Sequence, residues 1–473
     1  LVFLFFLFAP PQRWVRGMGG RSGDDRRGAI NECIRDIQAA DFVALDLEFS
    51  GLFLGVDDPG QGRRPPTAEE YFAKCAKSVP EFLPLQLGLC CARWQPDEAV
   101  WELRVHEFYL RPQGRRLFTA DLNSLRFLRA HGFDFNAFLD KGYAFSKLAS
   151  CEQSAKEAPG RGASRAHLAP ASQVLLAIRE AQIPLVVHNG LLDILHLYTS
   201  FVGAVPEDSD RFGEAWIQQF PALFDTRHLA QSGQYNVLGL GGGLGLEELH
   251  GQLVGKSSKV PLRYRRLGRV PAEGSAHGSA GYDALLTAEV FLFEMELWLQ
   301  AAADAAVRRK RRRVRMSELA QSLDEVDWQE IHKRASALGI SLMKVEVSGR
   351  PGGSRGARRR LADIKADIVA LEYAMEADEV GTVADSKVQP SPPPASKRRR
   401  IGTDDLAANA SGANGAADGT VSDGLLVPSV LASTKGPCER FRNCVAIVGA
   451  SPGYLHLGGP CTEVPTLVMG STD

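Results

Sequence analysis

The run Phe42-Val-Ala-Leu-Asp-Leu-Glu-Phe49 sets two carboxylates inside a stretch that is otherwise apolar and of strand length. A short apolar run of this kind reads as a buried strand. Burying a carboxylate is costly unless something pairs with it. Asp46 and Glu48 stand two residues apart, so on an extended strand both side chains point to one face. The fold must therefore bury this strand and still give its two acids a partner. Two more acids fall in short motifs far along the chain: Asp193 in His188-Asn-Gly-Leu-Leu-Asp193, and Asp283 in His277-Gly-Ser-Ala-Gly-Tyr-Asp283.

The pattern around these motifs alternates. Residues 85–92 and 100–110 are further strand candidates, and 171–182 is helical up to Ile183-Pro184. Residues 184–188 return to strand, 191–201 to helix, and 223–225 close another strand before a short helix. From Tyr282 to about Ala306 the chain is apolar on one face and free of Gly and Pro, which predicts a long helix. Strands alternating with helices imply a layered α/β sheet, here over residues 30–300. The glycines at 239, 241, 242, 243 and 245, ahead of Gly255-Lys-Ser257, invite a phosphate-loop reading. That loop needs a glycine where His250 stands, so a flexible linker is expected.

The chain has 473 residues, enough for two or three units. A net charge of −1 hides local asymmetry, because residues 308–315 hold seven basic side chains and residues 397–400 four more. Such runs serve as solvated tails, nuclear import signals or nucleic-acid contacts. After the basic segment 301–316, residues 317–380 read as a small helical segment, with patterns near 327–338 and 361–375. Residues 381–473 are rich in Pro, Ser, Ala, Gly and Asp and read as a disordered tail. Residues 1–29 read as an extension. The apolar run 1–9 is too short to cross a bilayer of about 30 Å. It fits the end of a signal or anchor segment, but the plainer expectation is a start at Met18 with upstream read-through. The eight cysteines are scattered and read as thiols of a reducing compartment. Cys438, Cys444, His456 and Cys461 have zinc-capable side chains, but their spacing fits none of the usual tight pairs.

Four carboxylates from separate segments are what phosphodiester hydrolysis by two divalent cations requires. One cation lowers the pKa of the attacking water and the other steadies the leaving oxygen. Mg²⁺ takes hard oxygen ligands, so a few carboxylates suffice. Asp46 would bridge both ions, with Glu48 on the first; Asp193 approaches from a helix, and Asp283 from the start of the last long helix. His277, in a Gly-containing loop, is a candidate general base. Each acid alone is more often a surface charge or a cap, and Asp283 is well placed to cap its helix. His188 and His196 read as structural histidines. Phe49, Phe53, Phe133 and Phe135 read as core residues, although an adenine could stack on one of them.

Residues 42–52 resemble the first exonuclease motif of the poly(A)-specific ribonuclease (PARN) group of DEDDh-type 3′–5′ exoribonucleases. Residues 67–71, 85–90 and 127–136 resemble segments peculiar to that group, and 187–193 and 281–284 its second and third motifs. The resemblance covers about residues 30–297. It implies an RNase H-like mixed sheet flanked by helices, two Mg²⁺ ions with Mn²⁺ able to substitute, and hydrolysis from a free 3′-hydroxyl with release of 5′-AMP. It implies catalytic roles for Asp46, Glu48, Asp193, His277 and Asp283, with the four acids as metal ligands. The expected substrate is RNA with a 3′ A tail, on mRNA or small non-coding RNA. A homodimer and a nuclear location, shared with the cytoplasm, are also implied. The interval between Glu48 and Asp193 leaves no room for the RNA-binding domain inserted in PARN itself. In this the chain is closer to the nuclear Cajal-body relative that trims small nuclear RNA, whose Cys₃His finger has no counterpart in spacing here. His277 precedes Asp283 by six residues, where the group has five. A single-strand DNA exonuclease of the same fold and a catalytically silent RNA-binding adaptor remain alternatives; the intact acidic set argues against the adaptor. RNA contacts could come from residues 308–315, or from residues 327–375, which faintly resemble a SAP-like helix pair. Plain packing is the commoner cause of such a pair.

Overall fold

The computed structural model describes residues 23–55, 64–148, 168–231, 240–256, 262–268, 279–340, 361–385 and 441–458. Residues 1–22, which include the expected start at Met18, lie outside that set, as do Cys438 and Cys461. The chain divides into two compact units, residues 1–301 together with 424–473, and residues 302–423.

The first unit is built on a mixed sheet with helices on both faces. Its strands are β1 (Phe42–Phe49), β2 (Pro84–Gln95), β3 (Val100–Pro112), β4 (Tyr143–Phe145), β5 (Leu185–Val187), β6 (Leu223–Asp225) and β7 (Tyr264–Leu267). The order is β4-β3-β2-β1-β5-β6, with β7 also paired to β3. β1 runs antiparallel to β2 and parallel to β5, so it has a neighbour on each side. Strict alternation divides its side chains between two cores. Val43, Leu45 and Leu47 join the core under the helices Gly23–Ala39, Pro170–Ala181 and Leu191–Leu197. Phe42 and Ala44 join the other, against Ala284, Leu285, Ala288 and Phe291 of the helix Ala280–Asp324. Asp46 and Glu48 continue this second face, beyond the point where apolar packing stops. The β2 and β3 side chains on the same face are Cys90 and Ala92, and Trp101 and Leu103. Their parity continues to Gln86 and Glu107, so each of the three strands carries a polar group at the same end of the sheet.

The α/β alternation read from the pattern is found. The helix Gly23–Ala39 was not anticipated, and the last long helix runs on through the basic segment to Asp324 instead of stopping near Ala306. Arginine and lysine are good helix formers, so a charge run does not end a helix. The Gly-rich segment is tied down where it is described. Glu248 accepts from the Gly243 N–H at 2.7 Å, and Gln252 accepts from the Gly241 N–H at 3.1 Å. These amides already have partners, which a phosphate-binding loop would need to keep free.

The expectation of a structureless tail over residues 381–473 fails at two places. The helix Leu361–Asp385 crosses its start. Residues 441–458 carry an antiparallel hairpin, β8 (Cys444–Ala446) and β9 (Tyr454–His456), that belongs to the first unit. Val445, Ile447, Leu455 and Leu457 are buried in the core of that unit, and Phe441 packs its ring 5.0 Å from that of Trp298. Asn443 exchanges two hydrogen bonds with Leu223 of β6, accepting at 2.9 Å through its side chain and donating at 2.7 Å through its backbone. The hairpin so covers the last strand of the sheet, an edge that would otherwise expose unpaired backbone groups. Polar, Gly-rich sequence on both sides hid this short apolar segment from a compositional reading.

The second unit has its own small core of Leu319, Leu323, Ile331, Ala335, Ile364, Ile368 and Val369. These come from the C-terminal part of Ala280–Asp324 and from the helices Trp328–Ala337 and Leu361–Asp385. Asp327 caps the second of these helices by accepting from the Glu330 N–H at 3.0 Å. Packing accounts for the amphipathic pattern of Trp328–Ala337 and of Ile364, Ile368 and Val369.

The hairpin is an integral part of the first unit, which sets a stability test. Leu457 is fully buried, so Leu457→Ala is expected to cost about 3 kcal/mol, the usual range for emptying such a site. Urea unfolding reads this directly; a loss under about 1 kcal/mol would show the hairpin to be loosely attached.

Candidate metal centre

Asp46 and Glu48 lie at the end of β1, and Asp283 meets them from the first turn of the helix that begins at Ala280. One carboxylate oxygen from each of the three can be chosen so that all lie within 4.8 Å of one another. Asp193, in the helix Leu191–Leu197, comes in beside β1. Its Oδ1 accepts a hydrogen bond from the backbone N–H of Leu47, between the two β1 acids, at 2.9 Å. The structure thus gathers all four acids picked out in the sequence. His277 lies outside the described residues.

The approach of Asp283 depends on β2 and β3. Gly88 pairs with Asp46 in register. A Cβ on Gly88 would stand 1.9 Å from the carbonyl oxygen of Ala280, so only glycine lets the helix start come down onto the sheet. The first N–H groups of a helix lack intrahelical partners. Gln86 Oε1 accepts from the Ala280 N–H at 3.0 Å, and Glu107 Oε2 accepts from the Gly281 N–H at 3.1 Å. The Ser279 hydroxyl also donates to Glu107.

The approach of Asp193 depends on Asp225, at the end of β6 and fully buried. Asp225 accepts backbone hydrogen bonds from Asn189 at 3.0 Å and Gly190 at 3.1 Å, which fixes the turn leading into the helix that carries Asp193. In that turn Asn189 has a φ of 55°, and a Cβ on Gly190 would collide with Val187 at 2.4 Å. Asp225 also accepts from Arg227 at 2.9 Å, and from Ala446 of the hairpin at 3.0 Å. One carboxylate therefore joins the Asp193 turn to the C-terminal hairpin.

The electrostatics of the four acids are unfavourable by themselves. Burial, and then the negative charge of Asp193, Asp283 and Glu48, hold Asp46 well above the usual carboxylate range. Glu48 is pushed up to about 9 by burial and by Asp283, Asp193 and Glu107. Asp193 rises to about 7, mainly by burial, against the pull of the Leu47 N–H. Asp46 and Glu48 are only partly buried. Neither carboxylate makes a hydrogen bond or ion pair with a described residue. Hard oxygen donors that repel one another fit a divalent cation. Asp46, Glu48 and Asp283, with Asp193 alongside, are the residues that would hold it.

The neighbouring histidines are otherwise engaged. His188 Nδ1 lies 2.8 Å from the Thr226 hydroxyl and its Nε2 3.0 Å from the Leu244 carbonyl, and burial lowers its pKa to about 4. His196 is fully buried and stacks on Phe49, with ring centroids 4.4 Å apart. Gln86 and Gly88, inside the segment 85–90, and Glu107 and Asp225 are site-building residues to which the sequence reading gave no role. Strand parity was the available signal for Gln86 and Glu107, since each continues an inward-facing series.

With this geometry established, comparison with known proteins defines the class. Residues 26–169 and 150–291 match the CAF1 family ribonuclease, and the chain belongs to that family. It is 21% identical over 380 residues to the poly(A)-specific ribonuclease PARN of Danio rerio, covering 56% of this chain and 57% of that protein. It is 24% identical over 365 residues to the poly(A)-specific ribonuclease PNLDC1 of Mus musculus, covering 56% of this chain and 68% of that protein. The chain thus spans little more than half of the first relative's length and about two thirds of the second's. Among solved structures, S. pombe Pop2p in its Mg²⁺- and Mn²⁺-bound form aligns with a TM-score of 0.38 at 17% identity, covering 58% of this chain and 89% of that one. A likeness of that size carries no argument.

Two outcomes are expected from this arrangement. Gly88→Ala forces backbone apart at the helix start and costs about 3 kcal/mol in urea unfolding, at the upper end of overpacking effects. A loss below about 1 kcal/mol would contradict the close approach of Ala280. The second outcome concerns pH. In the unfolded chain carboxylates titrate near 4. Above that, the folded metal-free chain keeps protons that the unfolded chain has shed, until Asp193 gives up its proton near 7 and Glu48 near 9. Stability in EDTA therefore falls as pH rises from 7 to 9, above the range in which the buried histidines titrate. Saturating Mn²⁺ should flatten that fall. Equal melting temperatures at pH 7 and 9 in EDTA would contradict the clustering of the acids.

Proposed function

We propose that this chain is a divalent-metal-dependent 3′–5′ exoribonuclease that shortens poly(A) or oligo(A) tails and releases 5′-AMP. The observation that carries this reading is the convergence of Asp46, Glu48 and Asp283 within 4.8 Å of one another, with Asp193 fixed against the strand between the first two by the 2.9 Å bond from Leu47. Membership of a ribonuclease family supports phosphodiester chemistry, and the names of the two relatives support the choice of poly(A).

In this reading the four acids hold two Mg²⁺ ions, with Mn²⁺ able to substitute. A pair of such ions supplies an acidified water as nucleophile and charge neutralisation at the leaving oxygen. The chain's own part is to hold the carboxylates still. Asp193 is oriented by the Leu47 amide. Asp283 is oriented by a helix start pinned on Gln86 and Glu107. His277, two residues before Ser279 in the sequence, is assigned the removal of a proton from the attacking water. The aspartates and Glu48 remain ionised once the cations offset their mutual repulsion. RNA with a free 3′ A tail is the proposed partner.

The test is digestion of a 5′-labelled oligo(A) RNA with Mg²⁺, alongside oligo(U) RNA and oligo(dA) DNA. Stepwise shortening from the 3′ end, fastest on oligo(A) RNA, is expected. Asp46→Ala should lower the rate at least about a hundredfold, equivalent to about 3 kcal/mol in the barrier. His277→Ala should lower it by about a hundredfold, the lower end for loss of a general base. Identical ladders from the unmodified chain and Asp46→Ala would end the enzyme reading, and faster cleavage of the DNA would replace the substrate.

A further inference from the structure

Residues 303–315 of the second unit are helical, and every one whose burial is described is exposed, on all sides of the helix. A helix that is polar all round is stabilised by paired charges, bridges solvent between domains, or is not stable by itself. Paired charge is not the explanation here. Among the described residues, Arg308, Arg309, Lys310, Arg311 and Arg313 have no acidic partner. Arg315 lies 3.2 Å from Glu318, and Arg312 stacks 5.4 Å from the ring centroid of Tyr373. Like charges instead meet at three- and four-residue spacings, as in Arg308 with Arg311 and Arg312, or Arg309 with Arg312 and Arg313. Such pairs destabilise a helix. The helix is therefore held against its own repulsion, and a polyanion would relieve it.

We propose that residues 308–315 form a sequence-independent docking helix for the phosphate backbone of single-stranded RNA. The proposal rests on the reading of this chain as an enzyme acting on RNA. Six of the seven basic residues are arginine, whose planar fork matches phosphate oxygens. The charge surrounds the helix axis. A flexible strand can follow such a surface, whereas a lipid surface requires an apolar face opposite the basic one. The large apolar side chains among the described residues of 303–315, Val307 and Val314, are single and about half exposed. The helix supplies affinity for the body of the RNA and takes no part in bond cleavage.

The experiment uses the full chain carrying Asp46→Ala, so that RNA survives, and measures binding of a labelled single-stranded RNA from 50 to 200 mM salt. Single strands give a slope of about −0.7 in log–log form for each phosphate neutralised. If about four basic residues engage one strand, the helix contributes about −3 to that slope, or about sixtyfold in affinity over this range. Arg308→Gln, Arg309→Gln, Lys310→Gln, Arg311→Gln and Arg313→Gln together should remove most of that contribution. Glutamine keeps helix propensity, and lysine at the four arginine positions should keep the slope. In the otherwise unmodified chain the glutamine variant should raise KM for oligo(A) and leave kcat unchanged. An unchanged slope overturns the proposal. So does a loss confined to phosphatidylserine vesicles with RNA binding intact. An altered slope in a chain that cuts no RNA would uphold this helix while ending the enzyme reading.

Discussion

Mutual repulsion among buried carboxylates is the constraint on which the rest of the first unit depends. Asp46, Glu48, Asp193 and Asp283 gain nothing from one another, and the lower polarity of the surroundings strengthens the repulsion. Backbone amides and packing hold them together against that repulsion. The Leu47 amide holds Asp193. The Asp283 helix is fixed by Gln86 and Glu107 on its first amides and by the missing side chain of Gly88. Behind β1, apolar packing on both faces stops the strand from moving outward to give its acids more water. Divalent cations bound there would offset the repulsion, and a preorganised set of ligands would not need to be gathered when they arrive.

The same logic places Asp225 apart from the four. It too is buried and negative, and burial raises its pKa. Its two oxygens are already spent on the amides of Asn189, Gly190, Arg227 and Ala446, with His228 at 3.3 Å. A carboxylate so surrounded by donors has no capacity left for a metal and acts as a fastening. It explains how a segment more than two hundred residues away in sequence reaches the loop that presents Asp193.

What could be read from the sequence follows the range of the interactions. Asp46 and Glu48 were legible because two acids in an apolar strand conflict locally with their surroundings. Asp193 and Asp283 were legible only through the motifs around them, since an acid in the first turn of a helix is ordinary by itself. Gly88 was hidden because its reason is a single close approach to Ala280, nearly two hundred residues on, that no periodicity reports. Glu107 lies in a strand of mixed composition and gains meaning only when β3 is placed beside β2. The hairpin was hidden for a different reason. Its apolar side chains are few and lie within low-complexity sequence, and their partners are spread over β6, the helix Ser209–Ile217 and the helix Ala280–Asp324.

The chain leaves the first unit at 301 and returns to it by 441. The second unit is therefore an insertion between two parts of one fold. An insertion costs little where its ends need not be drawn together from a distance, because closure entropy grows only slowly with loop length. The long helix makes the exit continuous: the element whose first turn carries Asp283 goes on to carry the basic segment and then Leu319 and Leu323 of the second core. Both cores of the first unit are complete only with the returning segment, since Val445, Ile447, Leu455 and Leu457 line one and Phe441 the other. The Asp225 fastening likewise needs the Ala446 amide, so the turn that presents Asp193 is tied to both ends of the chain's path through this unit.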